Sequence, residues 1–358
     1  MFDFGNANKN QRQAIETTDG SLLIIAGPGT GKTFTLVSRV VYLITEKNVD
    51  PSEIMIVTFT EKAAKELVTR ISNKLTALDI QINPEDMYIG TFHSVCLRII
   101  AEHIEYTQLK KNYRIIDDFD QQYLVFRNLN RFRQLAHYDA LPANYGAWNQ
   151  AAEIPKWANN LEEELIEYEV LLADEDDAVK AIGEASILYS SLLEENNWLD
   201  FSKIQYECYR MLSQNPELLE QLQHQIRYLM VDEYQDTNYI QEQIAFLIAE
   251  GSGNLCVVGD DDQGLYRFRG ATIRNIIQFD IRFGDGDCRI IHLDTNYRSS
   301  PEIVRFYGDW MMKTEGRKFK FDWGQYRHEK RLRAVRPAVH DASVVSVIDG
   351  SKVNWSES

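Results

Sequence analysis

Eight residues, Ala26-Gly27-Pro28-Gly29-Thr30-Gly31-Lys32-Thr33, stand directly behind the apolar run Leu22–Ile25. Glycines at this density let successive backbone N–H groups converge on one anion, a lysine adds a compact positive charge, and a threonine adds a hydroxyl for a cation. The set describes a triphosphate cradle, with Gly27, Gly29, Thr30 and Gly31 on the phosphates, Lys32 at the β/γ oxygens and Thr33 on Mg²⁺. Much further along, Asp232-Glu233 follows a second apolar run, Tyr228–Val231. One carboxylate at a strand end can hold Mg²⁺ through its water shell, while its neighbour orients and deprotonates an attacking water. Asp232 is the metal candidate and Glu233 the base candidate, so the spacing predicts hydrolysis rather than binding alone.

These groups meet only if particular elements carry them. Residues Phe34 to Ile44 place apolar side chains at helical spacing, which puts the glycine loop at a helix N-terminus, where the dipole favours anions. Four apolar runs end in polar residues: Leu22–Ile25 in the glycine loop, Ile54–Val57 in Thr58 to Ala64, Tyr228–Val231 in Asp232 to Asp236, and Leu255–Val258 in Gly259 to Gln263. Continuous apolar strands separated by helices predict an α/β fold with a parallel sheet covered on both faces. Ligands of open α/β sheets gather at the carboxyl ends of the strands, where all four polar sets fall.

Between Glu105 and Asn197 the pattern turns helical and separates the glycine loop from its carboxylates, which predicts an insertion budding from the nucleotide-binding unit. The chain has 358 residues, 44% of them hydrophobic, enough for two or three structural units. No apolar stretch approaches the length of a membrane span, and a cytoplasmic location without a membrane partner is expected. Cys96, Cys208, Cys256 and Cys288 form no CxxC pair, so they predict reduced, mostly buried thiols rather than a zinc or iron–sulfur site. Net charge is −16, which excludes adhesion to nucleic acid over the whole surface but leaves room for a local basic cleft. The charge is uneven: residues 151–197 carry 13 Asp and Glu against 2 Lys and Arg, whereas residues 313–336 carry 9 Lys and Arg against 3 Asp and Glu.

Taken in chain order, the motifs resemble the UvrD/Rep/PcrA group of superfamily 1 DNA helicases over residues 6 to 300. Asn10 to Ile15 is similar to an adenine-reading motif, Ala26 to Thr33 to motif I, Thr58 to Ala64 to motif Ia, and Gly90 to Ser94 to a following DNA-contacting motif. Trp198 to Phe201 resembles an Asp-Phe element, Val231 to Asn238 motif II, Val257 to Ala271 motif III, and Asn296 to Ser299 motif IV. The resemblance implies a RecA-like P-loop NTPase domain formed by residues 1–104 and 198–284. It also implies a helical insertion at 105–197 and the opening of a second RecA-like domain at 285–358. It implies ATP and Mg²⁺ as ligands, with Gln11 on the adenine edge and Tyr297 on its face. Gln263 would sense the γ-phosphate and Arg298 reach it from the second domain. Single-stranded DNA, or duplex DNA with a 3′ tail, would run past Phe59, Tyr266 and Phe268, with Thr91, His93 and Arg269 beside the track. A core position is the alternative for the three aromatics, and a structural hydrogen bond is equally compatible with His93.

Two departures from the family pattern stand out. Phe34 occupies the position where the family often places an arginine against the base. After Arg298 no counterpart of motifs V or VI is found, so the reading is of a UvrD-type, 3′-to-5′ ATP-dependent translocase represented by its N-terminal, ATP-binding part. A further chain or segment would supply the rest of the second motor domain, and the basic stretch 313–336 is expected to be mobile without it. The other reading is an ATP-gated single-stranded DNA-binding module that does not translocate.

Overall fold

A computed structural model describes residues 2–142, 146–264, 274–283, 287–312, 327–328 and 330–338. Tyr266, Phe268 and Arg269 lie outside the described residues. The strands are β1 (Ser21–Ala26), β2 (Ile54–Thr58), β3 (Tyr88–Thr91), β4 (Arg114–Ile115), β5 (Trp198–Leu199), β6 (Tyr228–Val231), β7 (Leu255–Gly259), β8 (Cys288–Leu293), β9 (Thr295–Asn296) and β10 (Arg333–Ala334). The helices are α1 (Lys9–Glu16), α2 (Lys32–Glu46), α3 (Glu61–Thr76), α4 (Phe92–Glu102), α5 (Asp118–Arg127), α6 (Leu129–Phe132) and α7 (Ala147–Glu163). They continue with α8 (Tyr168–Leu172), α9 (Asp177–Asn196), α10 (Phe201–Gln214), α11 (Pro216–Gln225), α12 (Tyr239–Ala249), α13 (Arg274–Ile277) and α14 (Pro301–Met312).

Six strands form one parallel sheet in the order β3-β2-β6-β7-β1-β8. The four apolar runs are β1, β2, β6 and β7, its central strands, each fully buried. Alternation sorts their side chains onto two faces. Leu23, Ile25, Met55, Val57, Leu229, Val231, Leu255 and Val257 pack under α4, α10, α11 and α12, while Leu22, Ile24, Ile54, Ile56, Met230 and Val258 pack under α2 and α3. This is the RecA-like α/β arrangement that the sequence predicts. Both outer strands escaped the sequence reading. β3 is four residues long and contains Gly90, whereas β8 carries Arg289 and His292 and, among the described residues, pairs on one side only. β8 pairs with β1 through six residues, Ser21↔Cys288 to Ala26↔Leu293. The first sheet therefore runs past residue 284, where the sequence reading ends the nucleotide-binding unit, because β1 requires a second parallel neighbour to satisfy its outer backbone groups.

The insertion has a core of its own. Ile116, Leu124, Val125, Phe132, Ile154, Ala158, Ala185, Tyr189 and Leu193 form a cluster separate from the two sheet faces. It is joined to the sheet by polar groups. Asp200 caps α10 by accepting from Lys203 N at 2.8 Å, and Tyr189 donates to the same carboxylate at 2.6 Å. The Lys203 ammonium, 4% exposed, donates to Ser190 at 2.8 Å and Glu162 at 3.2 Å, with Glu207 at 3.8 Å. Burial raises Glu162 to about 7 in spite of Lys203.

Lys203→Met should therefore destabilise the protein by roughly 3–5 kcal/mol near pH 8, because Glu162 and Glu207 lose their counter-charge in the interior. A folded pKa above the ordinary carboxylate value means that the native state takes up a proton before the unfolded chain does. Lys203 lowers that pKa, so without it Glu162 holds its proton to higher pH still; the penalty is complete only at alkaline pH and shrinks as pH falls toward 7, where Glu162 of the parent takes up its own proton. Denaturant melts at pH 5.5 and pH 8 measure it; an equal deficit at both would dismiss Glu162 as its source.

Candidate nucleotide site

The glycine loop leaves β1 and enters α2 through two left-handed residues, Gly29 at φ +70° and Gly31 at φ +85°. A Cβ on Gly29 would lie 2.6 Å from Arg298 Cβ, and one on Gly31 would lie 2.7 Å from Gln11 Nε2, so both steric room and backbone sign demand glycine. Thr30 closes the loop internally, its hydroxyl donating to Gly27 O at 2.8 Å. Lys32 opens α2, and its ammonium lies 2.6 Å from Glu233 Oε2, joining the loop to the end of β6. Thr33 follows on the same turn, half-buried.

At the end of β6 the backbone of Glu233 takes φ +51°, a conformation that costs a non-glycine residue of order 1 kcal/mol. It is held there by Asp232 Oδ1, which accepts from Glu233 N at 3.0 Å, and by Asp236 N donating to Glu233 O at 2.9 Å. The Glu233 carboxylate meets the cleft beside Lys32, while Asp232 turns inward. Burial, then the Glu233 charge, raises Asp232 to about 6, with Lys32 opposing. The same two causes raise Asp236 to about 6, and Asp236 Oδ1 is buried with no hydrogen-bond partner. Carboxylates in excess of the Lys32 ammonium among the described residues, one with an unused oxygen, form a hard, anionic donor set that suits Mg²⁺.

Gln235, to which the sequence reading gave no role, connects the next loop. Its Nε2 donates to Glu233 Oε2 at 2.9 Å and its Oε1 accepts from Asp260 N at 2.9 Å. Gln263 sits on that loop, its amide bound to the Asp260 carboxylate and its N–H donating to Asp260 O at 2.9 Å. The signal was present in the run Tyr234-Gln235-Asp236, but only the fold brings β7 beside β6.

Gln11 is buried and serves a local purpose: with Asn8 it forms the capping box of α1, and its Nε2 donates to Thr30 O at 2.9 Å. Tyr297 is exposed, its hydroxyl accepting from Asn8 Nδ2 at 2.9 Å and its N–H donating to Gly29 O at 2.9 Å. Gln11 and Tyr297 thus flank the glycine loop. Asn296 binds it too, donating to Pro28 O at 2.5 Å, and caps the turn that presents Arg298, which is exposed. Phe34 takes another direction: the Lys74 ammonium lies 4.6 Å from its ring centroid.

Of the residues read as a nucleic-acid track, Thr91 caps α4 and donates to Glu61 at 2.9 Å. His93 contacts Gln205 at 2.9 Å and meets the exposed Phe201 ring edge-on at 5.5 Å. Burial holds His93 below its ordinary pKa, so it is neutral at pH 7. Phe59 is half-buried after β2. All three leave the carboxyl ends of β2 and β3, on the same side of the sheet as the glycine loop.

The basic stretch differs from its expected mobility where it is described. Lys330 and Arg327 bind Asp260 to Asp262, and β10 pairs with β9. Three carboxylates in one tight turn require cations, and this stretch supplies them.

Residues 7–284 match the model of the UvrD/REP helicase N-terminal domain. The chain is 35% identical over 316 residues to the ATP-dependent DNA helicase PcrA of Bacillus subtilis, and 34% identical over 325 residues to PcrA of Staphylococcus epidermidis. It is 33% identical over 323 residues to PcrA of Staphylococcus aureus. These alignments cover 88–89% of this chain and 41% of each relative, so the chain spans about two fifths of their length. A phosphate loop facing strand-end carboxylates and a family match over most of the sequence agree: this chain belongs to the UvrD/REP helicase family, in the region of its N-terminal domain.

Proposed function

We propose that the chain binds ATP with Mg²⁺ and hydrolyses it, and that in the protein to which it belongs hydrolysis drives 3′-to-5′ movement along single-stranded DNA. The observation that carries the reading is the 2.6 Å contact between Lys32 and Glu233, which closes the phosphate loop against the candidate base. Lys32 exchanges Glu233 for the β/γ oxygens when nucleotide enters. Glu233, released from that ion pair and still oriented by Gln235, takes a proton from water as the water oxygen bonds to the γ-phosphorus and ADP leaves. Thr33 and Asp232 would hold Mg²⁺, which would supply charge neutralisation at the phosphates. Gln11 and Tyr297 receive the adenine, while Gln263 and Arg298 face the γ-phosphate. The direction of movement and the second motor domain rest on likeness to the helicase family.

DNA is proposed to pass Phe59, Thr91, His93, Tyr266, Phe268 and Arg269. Base stacking of roughly 1–3 kcal/mol per base is indifferent to sequence and suits a moving strand. The test is ATP turnover with and without oligo(dT), together with anisotropy of a labelled oligo(dT) at several salt concentrations. Binding should favour single strands over duplex, weaken as salt rises, and fall at least tenfold in Tyr266→Ala/Phe268→Ala. Unchanged affinity in the double variant would remove the stacking track.

A further inference from the structure

Residues 327–328 and 330–335 clasp the carboxyl ends of the adjacent strands β7, β1 and β8. Lys330, 5% exposed, places its ammonium 2.5 Å from Asp260 Oδ1 and 3.0 Å from Asp262 Oδ2, and contacts Asp261 as well. Arg327 forks onto both Asp262 oxygens at 2.7 Å, and His328 N donates to Asp261 at 2.8 Å. On the other side, Arg333 N donates to Asp294 O at 2.7 Å and Val335 N to Asn296 O at 3.0 Å. Between these anchors Leu332 lies over Gly27, where a Cβ would meet it at 2.8 Å.

A continuous set of hydrogen bonds leads from this clasp to the candidate base. Lys330 holds the Asp260 side chain; Asp260 N fixes Gln235 Oε1, which turns the Gln235 amide so that Nε2 faces Glu233 Oε2. Asp260 also carries the Gln263 amide. Arg327 stays on Asp262, but without the ammonium the buried Asp260 and Asp261 lose their counter-charge, so the turn 260–262 has to open, which moves both glutamines.

We infer that Lys330 is a positioning residue for hydrolysis, setting the orientation of Glu233 through Asp260 and Gln235. The inference rests on the proposed ATPase reading. Lys330 touches neither Lys32 nor the glycine-loop N–H groups, so its removal should spare nucleotide affinity and reduce turnover.

In the full chain, Lys330→Met should lower kcat by about ten- to a hundredfold while the Kd for a fluorescent ATP analogue changes by less than about threefold. Lys330→Arg, which retains the cation, should recover most of kcat. In a Gln235→Ala background Lys330→Met should have a smaller effect than in the parent, because the route to Glu233 is already cut and only that through Gln263 remains; two independent structural defects would multiply instead. Lys330→Gln, with a donor but no charge, substitutes if Lys330→Met does not fold. A kcat within twofold of the parent, a rise in kcat, or a Kd loss equal to the kcat loss each overturns the positioning role. Turnover in the parent no greater than in Glu233→Gln overturns the ATPase reading itself, and the positioning role with it.

Discussion

Glu233→Gln is expected to bind MgATP at least as tightly as the parent does and to turn it over about 10²- to 10⁴-fold more slowly. The substitution is nearly isosteric, and both residues meet the same cost at φ +51°. The bonds that hold this conformation come from Glu233 N to Asp232 and from Asp236 N to Glu233 O, which a side-chain amide leaves untouched. The new Oε1 can still accept from Gln235 Nε2. What disappears is the basic oxygen that takes the proton from water, together with one negative charge beside Asp232. Since the Glu233 charge helps to raise Asp232, Asp232 should ionise more readily in the variant, which favours metal binding and separates loss of the base from loss of the metal. Isothermal titration with MgATP and a steady-state phosphate-release assay decide it. Turnover within tenfold of the parent would move the base elsewhere, Asp236 being the neighbouring carboxylate with a raised pKa besides the metal candidate Asp232.

What the sequence could reveal depended on the range of the interaction that made it legible. Gly29 and Gly31 are dictated by local backbone sign and by close approach, so a one-dimensional pattern carries them. The same holds for the buried strands β1, β2, β6 and β7, whose apolar runs report burial on both faces. β8 falls beyond the boundary read at residue 284 because an edge strand with Arg289 and His292 lacks such a run, and only its register with β1 reveals its sheet. Asn8 and Gln11 stand three apart before an amphipathic helix, a capping pattern that could have been read locally. The ring of Phe34 could not be aimed from sequence, since Lys74 reaches it from another helix. Lys330 was visible only as one charge in a basic stretch. Its three partners lie about 70 residues upstream, and an ion pair at that separation leaves no periodic trace.

Lys32→Ala is expected to weaken MgATP binding by about ten- to a hundredfold and to abolish measurable turnover, with little change in melting temperature. The three effects separate because the ion pair is asymmetric: the Lys32 side chain is 13% exposed, but that of Glu233 is 33% exposed. Water can therefore take over the solvation of Glu233 when the ammonium is removed, and a pair of this exposure contributes at most about 1 kcal/mol to folding. Toward nucleotide the balance differs. A charge-assisted hydrogen bond to phosphate is worth roughly 1.5–3 kcal/mol, and the Lys32–Glu233 contact that must first be broken offsets part of it. Turnover falls further than affinity because charge accumulates on the β–γ bridging oxygen as the bond breaks, so the lysine binds the transition state more tightly than the ground state. Competition between Glu233 and phosphate for one ammonium gives a sharper consequence: Glu233→Gln should bind ATP at least as tightly as the parent, and the double variant should bind no more weakly than Lys32→Ala alone. Tighter binding lost on combining the two substitutions would identify Lys32 as the group released. Affinity in Lys32→Ala equal to that of the parent would remove the lysine from the phosphate site altogether.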